Sequence, residues 1–204
     1  MFSEHNSLRA GPVRCAWRDY RRGQRAESLV RPWLAAALRV PVDALGLQRD
    51  AYGRPQLAVA GRADLGGRFD TNWSHSGEHL LVALGDGVDV GVDIEWLRPR
   101  PRSMALADRF FAPSEAAALA RLPPAEAEAA FVRLWCAKEA VLKAHGHGLS
   151  FGLHRLCFAA EGDRWRLVDC DPALGTPADW ALHAFVPAPG YLATLAWRAT
   201  RVAP

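Results

Sequence analysis

Three features of the sequence predict an α+β fold. Residues 25–40 and 125–145 carry helical periodicity. Each of these segments is followed by short apolar runs rich in β-branched residues. An Arg98-Pro99-Arg100-Pro101 stretch then separates the two blocks. Each block reads as a long helix followed by small antiparallel strands, giving lobes at residues 1–97 and 98–204. The spacing suggests a weak internal repeat of about 100 residues, although no identity between the halves establishes one.

The elements follow in order. Leu29, Trp33, Ala36 and Ala37 recur at helical spacing over residues 25–40, and Pro41 stops the helix. Tyr52-Gly53-Arg54-Pro55 is a turn signal, and Gly66-Gly67 is another. Residues 80–84 and 88–96 predict a hairpin turning through Gly85-Asp86-Gly87. Pro113, with Glu115 in the first turn, opens a short helix that Pro123-Pro124 breaks. The long helix over 125–145 ends at Gly146. Strands are expected at 155–159, 165–168, 180–186 and 191–197, the last two around the turn 187–190.

At 204 residues, 50% apolar and 23% charged, the chain can bury a substantial core, which excludes disorder as a description of the whole. Its charge is uneven. Residues 1–62 hold 11 basic and 5 acidic residues, whereas 63–204 hold 14 and 17. The basic N-terminal third suits an anionic ligand or partner and is too diffuse to indicate nucleic acid. Cys15, Cys136, Cys157 and Cys170 form no C-x-x-C, so reduced thiols are expected. With neither a signal-peptide core nor a run approaching ~18 apolar residues, the expectation is a cytoplasmic protein with no membrane partner.

Gly91-Val92-Asp93-Ile94-Glu95 is the first fragment with chemistry. On a strand, Val92, Ile94 and Trp96 point one way into a core, and Asp93 and Glu95 point the other. Paired carboxylates on a strand face make a hard-oxygen site suited to Mg²⁺; an exposed face decorated with acids has the same pattern.

Trp135-Cys136-Ala137-Lys138-Glu139-Ala140-Val141-Leu142-Lys143 is the second. Trp135, Glu139 and Lys143 share one helix face. The bland account is a surface Glu–Lys pair worth ~0.3–0.5 kcal/mol. Against it, the chain has only two lysines, Lys138 and Lys143, and both lie here among 23 arginines elsewhere. Lysine is a compact point charge that fits a phosphate oxygen where a planar fork does not. A third carboxylate from this helix could complete a Mg²⁺ site, and the adjacent lysine could bind the phosphate held by the metal.

Asn72-Trp73-Ser74-His75-Ser76 offers a hydroxyl and an imidazole to a phosphate. As a nucleophilic pair it is poor, because adjacent residues of an extended segment face opposite ways. His145-Gly146-His147 lacks further metal-ligand partners and reads as a helix-end loop. Cys136 reads as a small packing residue.

Together, G-V-D-I-E at 91–95 and W-C-A-K-E-A-V-L-K at 135–143 resemble the two signature motifs of 4′-phosphopantetheinyl transferases. Their separation resembles that of the larger, two-lobed surfactin-type group. Gly53-Arg54-Pro55 is similar to that family's G-[KR]-P turn, and residues 72–76 to its N-x-S-H-S segment. Arg109-Phe110-Phe111-Ala112-Pro113-Ser114-Glu115 is similar to its R-F-F-x-x-x-E entry, and Gly146-His147-Gly148-Leu149 to its G-x-G-L loop. The likeness runs in order over roughly residues 14–197.

The resemblance implies a pseudo-dimer of similar α/β lobes with a ligand cleft between them. The implied activity moves the phosphopantetheine arm of coenzyme A onto a serine of an apo acyl or peptidyl carrier protein. Asp93, Glu95 and Glu139 would hold Mg²⁺ on the pyrophosphate, and Lys143 would contact it. Arg54 and Pro55 would border the adenine. Ser74 and His75 would touch phosphates, with Arg25 and Arg14 adding positive charge. Glu139 would be the base for the incoming serine. A monomer suffices, because one chain supplies both lobes. The resemblance leaves the roles of Lys138 and His147 open, and no motif reports which carrier is modified. The same cleft in a non-catalytic coenzyme A or carrier-binding module, or in a Mg²⁺-dependent phosphohydrolase, is the alternative.

Overall fold

The computed structural model describes residues 6–61 and 68–200. The expected Gly66-Gly67 turn lies outside the described residues. The chain is α+β, as the periodicities predict. In order it forms β1 (Ser7–Ala10), β2 (Val13–Asp19), α1 (Ala26–Leu38), β3 (Leu45–Arg49), β4 (Pro55–Val59), β5 (Phe69–Ser76), β6 (His79–Asp86) and β7 (Val88–Trp96). There follow α2 (Ser103–Phe110), α3 (Pro113–Ala120), α4 (Pro124–His145), β8 (Leu156–Glu161), β9 (Arg164–Cys170), β10 (Ala181–Phe185) and β11 (Tyr191–Ala199). Among the described residues no helix is long and apolar enough to cross a membrane.

Four strands form one antiparallel sheet in the order β1-β2-β6-β5, and three form another in the order β10-β11-β7. β3–β4 and β8–β9 are separate hairpins. Alternation along the strands assigns the faces. Leu80, Val82 and Leu84 of β6 pack with Val30 and Leu34 of α1. Leu81 and Ala83 turn the other way, into a core shared with Val90, Val92 and Ile94 of β7 and Ala193 and Leu195 of β11. Leu192 and Ala196, on the opposite face of β11, join the core built around α4. Each sheet therefore carries a helix outside and contributes to a common apolar interior.

The expected β6–β7 hairpin is corrected by the pairing. β6 pairs with β2 and β5, whereas β7 pairs with β11, from Val88 opposite Ala199 to Trp96 opposite Tyr191. At the crossover a Cβ on Gly85 would lie 2.9 Å from the Val88 carbonyl oxygen. The two strands thus pass each other closely and part into different sheets. Trp96 is also corrected: it is 43% exposed rather than buried with Val92 and Ile94.

Instead of a backbone ladder, side chains join the two sheets along β5 and β7. Asp70 Oδ2 accepts from the Val90 amide at 2.6 Å, Asn72 Oδ1 from Val92 at 3.2 Å and Ser76 Oγ from Trp96 at 3.0 Å. The residue numbers rise together, so the two strands run in the same direction.

On its other face β7 meets α4, and Gly91 permits the approach. A Cβ at this position would overlap the Ala140 carbonyl oxygen and the Ala144 amide nitrogen, both backbone atoms. Gly91→Ala is expected to push α4 outward at a cost of about 1–3 kcal/mol, read as a lower denaturation midpoint. An unchanged midpoint would show that the helix adjusts freely.

Candidate active site

Asp93 and Glu95 leave β7 on the side facing α4, as the strand alternation predicts. α4 reaches them because Pro124 occupies its first turn and Gly146, at φ 103°, ends it with an amide bonded to the Leu142 carbonyl at 3.1 Å. Within α4, Glu139 and Lys143 lie one turn apart and face β7. Lys143 Nζ is 2.6 Å from Asp93 Oδ1, 3.5 Å from Glu139 Oε2 and 3.1 Å from Ser74 Oγ. Ser74 Oγ also donates to Asp93 Oδ1 at 2.8 Å. Strand β5, strand β7 and helix α4 thus converge on one ammonium.

Asp93 is 3% exposed, and its Oδ2 is buried with no hydrogen-bond partner. An unpartnered buried carboxylate oxygen is costly unless it binds a cation or donor. Burial pushes the Glu139 carboxyl up to about 7, and the nearby Asp93 charge adds to the rise; Lys143 opposes it. Asp93 and Glu139 together hold the Lys143 ammonium above its ordinary value despite its own burial.

Glu95 is drawn aside. Its Oε2 accepts from Arg100 Nη2 at 2.6 Å and Ser76 Oγ at 3.0 Å. Among the described residues no three His, Cys, Asp or Glu side chains gather closely enough to hold a metal ion. The donor chemistry nevertheless fits Mg²⁺, which is usually bound by one or two carboxylates together with substrate phosphate and water. Asp93 and Glu139 already converge on one cation, and Asp93 keeps an unused oxygen.

A cavity of about 170 Å³ opens beside this cluster. Lys143 lines it, with Arg54 and Pro55 from the turn into β4, Asn72 and Trp73 from β5, and Gly146 at the helix end. Arg54 is firmly held there. Its guanidinium donates to the Lys143 carbonyl, to Asp70 Oδ2 and, at 3.3 Å, to the Val90 carbonyl. Burial lifts the Asp70 carboxyl to about 6, with Arg54 pulling the other way.

The other expected residues lie apart. His75 faces away from Ser74 and stacks on Tyr20 at 4.5 Å between ring centroids. Arg14 donates to the Ala37 carbonyl at the end of α1, at 2.8 Å, and Arg25 is exposed at the start of that helix. Lys138 points away from the acids, into the core around α4, and is fully buried with Glu115. Trp135 packs against Phe131 and Phe111.

Sequence reasoning gave no role to Asp70, Asn72, Ser76 or Arg100, although Asn72 and Ser76 stand in the 72–76 segment it singled out. A period-two polar face, Asp70-Asn72-Ser74-Ser76, was the available signal for the first three. Nothing local marks Arg100 as the partner of Glu95.

A sequence model described as the 4′-phosphopantetheinyl transferase superfamily matches residues 89–196, which contain Asp93, Glu139 and Lys143. The chain is 33% identical over 135 residues to the 4′-phosphopantetheinyl transferase psf-1 of Bacillus pumilus, covering 66% of this chain and 54% of that protein. It is 35% identical over 142 residues to the 4′-phosphopantetheinyl transferase HetI of Nostoc sp., covering 67% and 56%. It is 31% identical over 170 residues to a phosphopantetheinyl transferase of Thraustochytrium sp., covering 78% and 58%. The matched region spans little more than half the length of each of these relatives.

Proposed function

The chain belongs to the 4′-phosphopantetheinyl transferase superfamily, and from that premise we propose that it moves the 4′-phosphopantetheine arm of coenzyme A onto a serine hydroxyl of an apo carrier protein. The serine oxygen forms the new bond to the β-phosphorus, the bond to adenosine 3′,5′-bisphosphate breaks, and the serine proton passes to a base. One observation carries this reading: Asp93, Glu139 and Ser74 meet at Lys143, on the wall of a cavity that also takes in the Arg54-Pro55 turn.

In this reading Lys143 neutralises charge on the pyrophosphate from a partly buried position, where a fixed cation counts for more than in water. Glu139 takes the serine proton, the general-base role open to a positioned carboxylate. Ser74 orients Lys143, and its hydroxyl would bond phosphate by turning its one proton from Asp93 to the ligand. Pro55 and the stem of Arg54 border the adenine. His75 and Arg25 face the 3′-phosphate, and Arg14 adds to the field. Asp93 and Glu139 would hold Mg²⁺, and Glu95 would join them only on release from Arg100 and Ser76; the charge of the ion, when bound, further stabilises the phosphoryl oxygens.

The same proposal includes two lobes with the ligand between them. Its support is the repeated strand order: β2-β6-β5 in the first sheet and β7-β11-β10 in the second both place the opening strand beside the last and the penultimate beyond it. Between the opening and penultimate strands the first set has one helix, α1, and a hairpin, and the second has three helices, α2 to α4, and a hairpin. The lobes then meet between β6 and β7, ahead of the Arg98–Pro101 linker. The reading is of a monomeric, cytoplasmic holo-carrier synthase, in keeping with four unpaired cysteines.

A panel of apo carriers from fatty-acid, polyketide and peptide synthases, incubated with coenzyme A and Mg²⁺, tests the function by mass spectrometry. At least one carrier is expected to gain one phosphopantetheine. Release of adenosine 3′,5′-bisphosphate without any carrier gaining mass would establish a phosphohydrolase instead. Tight coenzyme A binding with no turnover would establish a binding module.

A further inference from the structure

We propose that Arg54 and Asp70 form a positioning pair that fixes the last turn of α4, and with it Lys143 and Glu139, over Asp93. The kinetic part rests on the transferase reading; the structural part rests on geometry alone. α4 ends at His145, so the carbonyl of Lys143 belongs to the final turn and has no partner within the helix. Arg54 Nη1 supplies one. The same guanidinium reaches Asp70 on β5 and the Val90 carbonyl on β7, and Asp70 accepts in turn from the Val90 amide. One planar group therefore ties the turn before β4 to β5, β7 and α4.

The tie sits beside the close approach of α4 to β7. Val90 precedes Gly91, where α4 touches β7, and Lys143 precedes Ala144, whose amide makes that contact. Arg54 and Asp70 side chains are 10% and 20% exposed, so the pair is sheltered from water. Removing the brace leaves the end carbonyls of α4 to fray, and helix ends open at low cost. Lys143 Nζ stands 2.6 Å from Asp93 and 3.1 Å from Ser74, spacings that a frayed turn does not keep. Displacement by about 1 Å can cost 10²-fold in rate. Arg54 thus acts through Lys143, a role separate from bordering a nucleotide. A lysine at this position can serve part of the acceptor set, because its ammonium carries three donors.

The chain itself provides the reporter. It has two lysines, so lysine-selective ¹³C labelling of this chain gives two side-chain signals: Lys143 at the brace and buried Lys138 as internal control. Arg54→Gln and Asp70→Asn are expected to shift or broaden the Lys143 Cε signal and leave that of Lys138 in place. In the transfer assay kcat is expected to fall by about tenfold or more, with KM for coenzyme A changed by less than about threefold. Arg54→Lys is expected to keep the Lys143 signal near that of the parent and to recover most of kcat. An unmoved Lys143 signal in both charge-removing variants overturns the brace. So does a rise in KM at constant kcat, which marks Arg54 as a nucleotide contact only. Should the parent protein modify no carrier, the transferase reading fails, and the lysine signals still decide the brace.

Discussion

Glu139→Gln is expected to lower phosphopantetheine transfer by about 10²–10⁴-fold, the usual contribution of a positioned base. The amide keeps the shape of the side chain and removes the proton acceptor. Full activity in this variant would take Glu139 out of the base role. A second measurement, made without Mg²⁺, separates chemistry from folding. Burial raises the Glu139 carboxyl to about 7, against ~4.3 in an unfolded chain. The folded state therefore holds this proton more tightly than the unfolded state does. The stability that goes with the proton is present below about pH 4 and is lost as pH rises through about 7. Glutamine does not titrate and suffers no such loss. Glu139→Gln is thus expected to denature at a higher temperature than the parent at pH 8, with the gap closing towards pH 4. A gap of the opposite sign at pH 8 would mean that the Lys143 contact outweighs the burial of charge.

Lys138→Met is expected to cost about 3–5 kcal/mol, the range for removing one partner of a buried ion pair. For a chain of this size that is roughly 10 °C or more in melting temperature. Lys138 and Glu115 are both fully buried, with Nζ to Oε2 at 2.7 Å. Burial raises the Glu115 carboxyl and lowers the Lys138 ammonium, and each partner opposes the other's shift. Replacing such a pair with apolar residues is often harmless; here it is not expected to be. Lys138 Nζ also donates to the carbonyls of Leu153 and Leu156, at 2.9 and 2.6 Å. Glu115 accepts from the amides of Ala112 and Phe158, at 2.8 and 2.7 Å. The double replacement Lys138→Met with Glu115→Met strands four backbone groups, so it is expected to be no more stable than Lys138→Met alone. Recovery in the double variant would show that those groups find water. This pair ties α3, α4 and the segment leading into β8 together, which assigns Lys138 a structural role. The two motifs that carry it, R-F-F-x-x-x-E and W-C-A-K-E, meet through it.

Much of the candidate site is legible in the sequence. The alternation of Val92, Asp93, Ile94 and Glu95 placed both acids on one strand face, and the i,i+4 spacing of Glu139 and Lys143 placed both on one helix face. The rarity of lysine pointed to Lys143. The limits of α4 followed from Pro123-Pro124 and Gly146. Less legible were β1 to β4, which sequence reading passed over as strands, and β5, read only as an extended segment over residues 72–76. β1 to β3 carry arginines, β4 opens on a proline and β5 is largely polar, and much of the stability of all five comes from partners remote in sequence.

The sequence by itself determined the α+β class, the two long helices, the face of β7 that carries the acids and the family to which the chain belongs. All of these depend on spacing within a few turns or on motif order. Only the tertiary structure decided that β7 leaves β6 for β11, that Glu95 turns to Arg100, that Lys138 is buried away from the acids while Lys143 stands among them, and that Arg54 holds the end of α4. Each is a choice between partners tens of residues apart. Local periodicity is blind to such choices, because it fixes which way a side chain points and not what stands opposite.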